Sequence, residues 1–314
     1  MQYNDVKPAI QKPAKGGKSS VETKKYEALL KAVELGSITA AAQELDYSPS
    51  GLTRVLDSLE KELGFSVLFR GPQGVEFTRE GKAIVPKLRE ILRYEAQIEE
   101  YCASLQGLVK GELYIGSYYS IATQWLPTIL KRFQEDYPGI RVHVQEAGNR
   151  SLQEALNQRD LQCCLYNKPE HYEGDWIPLY SDRLTAWIPK GHPLAKKKAL
   201  DPMELHGMPF IEALPHQKTD TGAFLKKYGV VPKILFTTSD MYTCWTMVEA
   251  GLGLSIDNEL SSRRWKGNVK VVPFHVPDRI ELGIALPSLQ EASPALKKFI
   301  EYVRAYVAEE YGER

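Results

Sequence analysis

At 314 residues, with 43% hydrophobic and 25% charged side chains, the chain is long enough for two or three domains and has the make-up of an ordinary globular protein. Its 40 basic residues balance 40 acidic ones, which argues against a broad basic field as the means of holding a polyanion. No run of about 18 apolar residues offers a membrane span, and the polar start MQYNDVKPAIQKPAKGGKSS lacks the apolar core of a secretion signal.

Residues 1–22 hold Pro8, Pro13, Gly16 and Gly17 with lysines between them and little to bury, so they read as a disordered basic tail. Six lysines face only Asp5 and Glu22 over residues 1–25, enough for an arm along phosphates, although a solvated extension is the simpler reading. A helix from Lys24 to Leu35 would carry Tyr26, Leu29, Leu30 and Val33 inward.

The stretch Gly36–Arg70 reads as two short helices around a tight turn. Ser37 or Thr39 can cap the first, whose Ala40, Ala41 and Ala42 let another helix approach closely. Leu45 ends it, Asp46 and Tyr47 turn, and Ser48-Pro49 is an N-cap followed by a first-turn proline. In the second helix Leu52, Val55, Leu56, Leu59 and Leu63 share one face. Ser48, Ser50, Thr53 and Arg54 point the other way. Small hydroxyls and one arginine, on a helix braced from behind, suit the major groove of DNA, where arginine reaches guanine O6 and N7.

Val67-Leu68-Phe69 and Val75-Glu76-Phe77 read as two short strands around a Gly/Pro turn, with Arg70 at the base where a cation can meet a phosphate. Thr78 can cap a helix running to about Leu105. Its Ile84, Leu88, Ile91, Glu95, Ile98, Cys102 and Leu105 make an a/d seam suited to a second copy of the chain. Ten basic against thirteen acidic residues over 26–110 leave DNA contact to placed side chains.

The run Gly36-Ser37-Ile38-Thr39-Ala40-Ala41-Ala42, then Leu45, Ser48 to Arg54, Leu59-Glu60, Glu62-Leu63-Gly64 and Leu68-Phe69-Arg70 resembles the winged helix-turn-helix of LysR-type transcriptional regulators. The resemblance implies a dimerising linker helix and adds Pro49 as a departure. The family often carries a base-contacting glutamine there, and proline has no side-chain donor. Gly51 replaces a frequent alanine, at a cost to helix stability. The expected DNA-contact set is Ser37, Thr39, Ser48, Pro49, Ser50, Thr53, Arg54 and Arg70.

Beyond Gly111 short strands alternate with helices, which indicates βαβ units and a mainly parallel sheet. Strands are expected at Leu113–Gly116, Ile140–Val144, Leu161–Leu165, Trp176–Leu179, Leu184–Ile188, Phe210–Ile211, Ile234–Thr237, Val269–Val272 and Ile280–Leu286. One helix is expected over Ile121–Tyr137, others at Leu152–Gln158, Gly222–Tyr228, Met241–Glu249 and Ala295–Ala308. Leu126-Pro127, Phe133, Tyr137-Pro138 and Val248 to Leu254 match landmarks of the family's effector-binding half, itself similar to periplasmic binding proteins.

The fold class is therefore α/β, with an N-terminal all-α winged helix-turn-helix and a two-lobed effector domain. Expected bounds are 1–22 for the tail, 23–80 for the DNA-binding domain, 81–109 for the linker helix and 110–314 for the effector domain. The resemblance splits the last into lobe I, about 110–167 and 275–314, and lobe II, about 168–274.

Ligands of such sheets sit at strand carboxyl ends, and helix N-termini attract anions. That points to Ser117, Tyr118, Tyr119 and Ser120 after the first strand, Asn149 in the next loop, Thr219, Thr221, Ser239 and Asp240 from the other lobe, and Tyr166 as aromatic lining with Trp187 and Tyr242. An organic acid or a polar aromatic compound is the expected effector.

The sequence holds no GxSxG, HExxH, P-loop or GxGxxG. Cys102, Cys163, Cys164 and Cys244 form no CxxC pair and no metal-ligand spacing. No catalytic residue, metal or cofactor is expected. The expected function is a cytoplasmic, effector-controlled transcriptional regulator that binds double-stranded DNA as a homodimer or homotetramer. The rivals are a DNA-binding protein whose α/β half only assembles, and an enzyme fused to a DNA-binding domain.

Overall fold

The computed structural model describes residues 23–72, 74–105, 110–169, 171–215 and 217–312; the expected tail at 1–22 lies outside them. The described residues form two compact units, those up to Leu92 and those from Arg93 onward.

In the first unit α1 (Thr23–Glu34), α2 (Ile38–Glu44) and α3 (Pro49–Leu63) are followed by a hairpin of β1 (Leu68–Gly71) and β2 (Gly74–Phe77). Ser37 caps α2 by accepting from the Ala40 N–H, and Ser48 caps α3 by accepting from the Gly51 N–H. Asp46 turns the chain between them at φ 57°, a left-handed position that aspartate tolerates better than most residues. Gly64 ends α3 at φ 81°. Leu52, Leu56 and Leu59 are fully buried against Leu29, Ala32, Ala41 and Ala42, with Val55 and Leu63 at the rim.

Glu60 ties the hairpin to α3. Its Oε1 accepts from the N–H groups of Val67 and Leu68 at 2.7 and 3.0 Å, two donors the short hairpin leaves without ladder partners. The same open end of the hairpin meets α4 (Arg79–Leu105), where Gly81 packs so close to Val67 O that a Cβ would sit 2.3 Å away. Leu88 is buried in the first unit's core, and Ile84 and Leu92 pack on it. Those positions therefore serve their own domain, while Ile91 and Ile98 stay 43% and 64% exposed.

The second unit opens with β3 (Gly111–Ser117), α5 (Tyr119–Gln124), α6 (Leu126–Asp136), β4 (Ile140–Glu146), α7 (Asn149–Asn157), β5 (Cys163–Asn167) and β6 (Asp175–Asp182). The single helix expected over Ile121–Tyr137 is two. Pro127 has no N–H, and its ring crowds the carbonyl four residues back, so the chain breaks at Trp125. Then come β7 (Leu184–Pro189), β8 (Pro209–Ala213), α8 (Asp220–Lys227), β9 (Lys233–Thr238), α9 (Met241–Glu249), β10 (Ser255–Asn258), α10 (Glu259–Ser262), β11 (Val269–Pro273), β12 (Ile280–Leu286) and α11 (Pro294–Tyr311).

The first lobe's sheet has the order β4-β3-β5-β12-β6, parallel from β4 to β5 and antiparallel at β12. The second lobe pairs β10-β7-β11 antiparallel and β8-β9 parallel. The first lobe's sheet is thus mixed and the second lobe holds one antiparallel and one parallel sheet, so the half is not built on a mainly parallel sheet. The second lobe does not begin near residue 168: β6 pairs with β12 along Asp175–Asp182, so the crossing falls at Arg183. β12 lies in the first sheet, and α11 buries Phe299 and Val303 in the core shared with it. Cys163 and Cys164 face opposite sides of β5, one in each of two core layers.

Candidate functional site

The front of α3 presents Ser50 and Arg54 to solvent, and no ion pair engages Arg54 among the described residues. The Thr53 hydroxyl donates to the Pro49 carbonyl at 2.9 Å, and Ser48 and Ser37 already serve as caps. Thr39 is exposed on α2, and Pro49 is exposed without a donor. Arg70 departs from its expected role as a waiting phosphate contact. Its guanidinium donates to Asp57 at 2.8 Å and to Glu60 at 3.2 Å, so a phosphate would compete with two carboxylates.

Between the two lobes of the second unit lies a cleft of about 430 Å³. A wider depression of about 840 Å³ lies elsewhere, beside α7 and residues 171–174. It is open and polar, and none of the expected site residues line it. Tyr118, Tyr119, Ser120, Asn149, Thr219, Thr221, Ser239 and Asp240 all line the cleft, so most of the expected set comes together.

Two members do not. Ser117 is fully buried and donates to the Tyr118 carbonyl at 3.0 Å. Tyr166 is 1% exposed in the layer with Leu152, Cys164 and Ala285, because its strand position faces the core. Trp187 packs edge-on against Trp245 and Trp265, and Tyr242 sits against Trp265, so neither lines the cleft.

Hydrogen bonds cross the cleft. Asp220 at the start of α8 accepts from Asn167 Nδ2 at 2.8 Å and from the Tyr118 hydroxyl at 3.3 Å. Behind it, buried Asp182 accepts from Asn258 Nδ2 at 2.8 Å and from the N–H groups of Arg183 and Leu260. Asn258 also donates to Ser120 Oγ at 3.2 Å, which commits Ser120 to the crossing between lobes. Thr221 donates to the Ile256 carbonyl.

The lining reverses the expected charge. Among its described residues Glu146, Glu212, Asp220, Asp240 and Asp257 face one cation, Lys218. Burial pushes the Asp257 carboxyl up to about 7, with Asp182 and Asp220 adding to the rise and Ser261 and the Asn258 N–H opposing it. Burial likewise raises Asp220 and Glu146, and for Glu146 the neighbouring Asp240 adds to it. The Tyr118 hydroxyl is pushed well above its ordinary range by burial, then by Asp220 and Asp257.

A stability test follows from Asp257. An unfolded aspartate titrates near ~3.9, so the folded chain holds a proton that the unfolded chain has already released. That contribution is lost as pH climbs from about 4 through about 7. Asp257→Asn should raise the melting temperature more at pH 8 than at pH 5.5. An equal change at both would show that the group does not titrate in this window.

Sequence reasoning passed over Glu146, Lys218, Asp257, Asn258 and Ser261, all of which line the cleft. The strand Ser255–Asn258 carries two of them and is too short and polar to show periodicity. A usable signal was the placing of carboxylates at strand ends, Glu146 closing β4 and Asp240 following β9.

A family model described as bacterial regulatory helix-turn-helix protein, lysR family, matches residues 23–82. A second, the LysR substrate binding domain, matches residues 106–308, more than half of the chain. The chain belongs to the LysR family of transcriptional regulators. The regulator is 27% identical to the uncharacterised YvbU of Bacillus subtilis, over 88% of this chain and 95% of that protein. It is 26% identical to the transcriptional dual regulator GltC of the same organism, over 81% of this chain and 87% of GltC. Among solved structures, a full-length OxyR variant from Pseudomonas aeruginosa aligns at TM-score 0.74 with 20% identity, covering 90% of this chain and 98% of that one. CbnR, a LysR family regulator, aligns at 0.65 with 19% identity, covering 91% and 99%. Both show the same fold. It is a DNA-binding regulator with an effector-binding half, and no helix among its described residues is long and apolar enough to cross a membrane.

Proposed function

We propose that the regulator acts in the cytoplasm as a homodimer or homotetramer, reads duplex DNA with the front of α3, and holds its effector in the cleft between the lobes. The observation that carries this reading is the exposed pair Ser50 and Arg54 on a helix whose back is fully buried. Affinity would come from phosphate contacts, and specificity from Arg54, Ser50 and Thr39 with help from DNA bending. A full-length CbnR has been solved in complex with its target DNA, which is consistent with this use of the family's N-terminal domain.

In this reading residues 23–80 bind DNA, 81–109 pair two copies, and 110–314 sense the effector, with the second lobe starting after Asp182. Effector binding changes the closure of the lobes and hence the spacing of two DNA-binding units in the assembly. The cleft volume suits a small ligand.

A thermal-shift screen of metabolites on the full chain tests the sensing half. A true effector must raise the melting temperature by mass action. Its shift should vanish in Ser151→Trp, which puts a bulky ring on a residue that lines the cleft. A shift that survives the substitution puts the ligand elsewhere. A screen without a stabilising compound returns this half to a purely assembling role.

A further inference from the structure

The charge of the cleft goes further than its shape, on the reading that the effector binds there. We infer that the effector carries a protonated nitrogen, as a small amine or amidine, and that this nitrogen sits on Asp257 beside Asn149.

Two observations meet at this point. Asp257 Oδ2 and Asn149 Oδ1 are both buried and accept no hydrogen bond, and both residues line the cleft. Each is an acceptor once Asp257 has lost its proton, a loss that a bound cation would favour, so what they need is a donor. A buried acceptor left unpaired is costly, and a charged donor forms the stronger bond with a carboxylate. Glu146, Asp220 and Asp240 add negative potential around the same space, against Lys218 alone among the described lining residues. Ammonium and amidinium groups supply donors and positive charge together.

Two of the helix N-termini that favoured an anion, those of α8 and α9, are already occupied. At α8 the N-terminal Gly222 N–H is taken by Thr219 Oγ1, and Asp220 stands in the first turn. At α9 the Thr243 N–H is taken by Asp240 Oδ1 at 2.6 Å. At those two helices a ligand carboxylate would face side-chain carboxylates instead of open N–H groups. Tyr118, Tyr119 and Phe210 line the remainder and can cover a short apolar body or face the cation with a ring.

Matched probes decide the matter on the full-length chain. Benzylamine, agmatine and putrescine are compared with benzoate and succinate by thermal shift, and any binder is titrated by calorimetry. At least one amine should stabilise the chain while its carboxylate counterparts do not. Asp257→Asn should weaken that amine by about tenfold or more, the loss of one charged partner. Asp240→Asn keeps a capping side chain on α9 and should weaken it less. Ser151→Trp should block it.

If no amine outperforms the carboxylates, the inference is overturned. It is overturned as well if an amine binds with equal affinity to Asp257→Asn and Asp240→Asn. Carboxylate binding that Ser151→Trp abolishes would overturn the cation while leaving the cleft as the effector site. Binding that Ser151→Trp leaves intact would remove the cleft reading, and the cation with it.

Discussion

A chain carrying Ile91→Glu and Ile98→Glu should sediment as a monomer and lose tight operator binding. Both side chains stand out from α4 at 43% and 64% exposure, in a row with Tyr94 and Tyr101, which are also about half exposed. Leu88, one step earlier on the same spacing, is 3% exposed in the first unit's own core. The split matters: Leu88 and Leu92 pack on the first unit's core, while Ile91 and Ile98 are left exposed on α4. Two glutamates in a packed seam would be buried without counter-charges, at several kcal/mol. A monomer engages one half-site, so the loss of linked binding should lower affinity by roughly 10²–10⁴. Because the substituted positions are exposed, the melting temperature of the monomer should change little. Sedimentation of an intact dimer would remove α4 as the pairing surface.

Arg54→Ala should weaken binding to a specific duplex by roughly 1–3 kcal/mol, the worth of one bidentate contact to guanine. Folding should not suffer, since the side chain is exposed and outside every ion pair among the described residues. On random duplex the loss should be far smaller. Equal loss on both would make Arg54 a phosphate contact. Thr53→Ala should cost less, because its hydroxyl is already spent on the Pro49 carbonyl. Arg70→Ala makes the contrast. It leaves Asp57 and Glu60 without their cation, so it should act on the melting temperature more than on base preference.

How legible each part was depended on the physics behind it. The helix-turn-helix could be read because its signals are local: Ser37 and Ser48 cap, Asp46 turns, Gly64 ends the helix, and the leucines of α3 repeat at helical spacing. The linker was half legible. Spacing placed Ile84 and Leu88 in the seam, but spacing cannot tell a partner chain from the same domain. In the sensing half, strand positions followed the apolar runs, while strand direction and partner did not. Nothing local in Asp175–Asp182 says that it will pair with Ile280–Leu286, about a hundred residues away, so the lobe boundary was misplaced.

The cleft shows a similar limit. Serines and threonines before helices suggested donors for an anion, and the folded chain uses those positions for other bonds. Ser117 donates to its neighbour's carbonyl, Ser120 receives Asn258, and Thr219 caps α8. The carboxylates that set the cleft's charge come from β4, β8 and β10, the turn after β9 and the first turn of α8, and only folding brings them together.

Selection of DNA from a random-sequence pool by the full-length chain tests the central claim most directly. Enrichment of an inverted repeat is predicted, with half-sites about one helical turn apart or a multiple of it, and with its conserved bases relaxed when Arg54→Ala replaces the parent. A pool that stays unenriched, or a motif that Arg54→Ala and the Ile91→Glu, Ile98→Glu pair select equally well, would contradict the account.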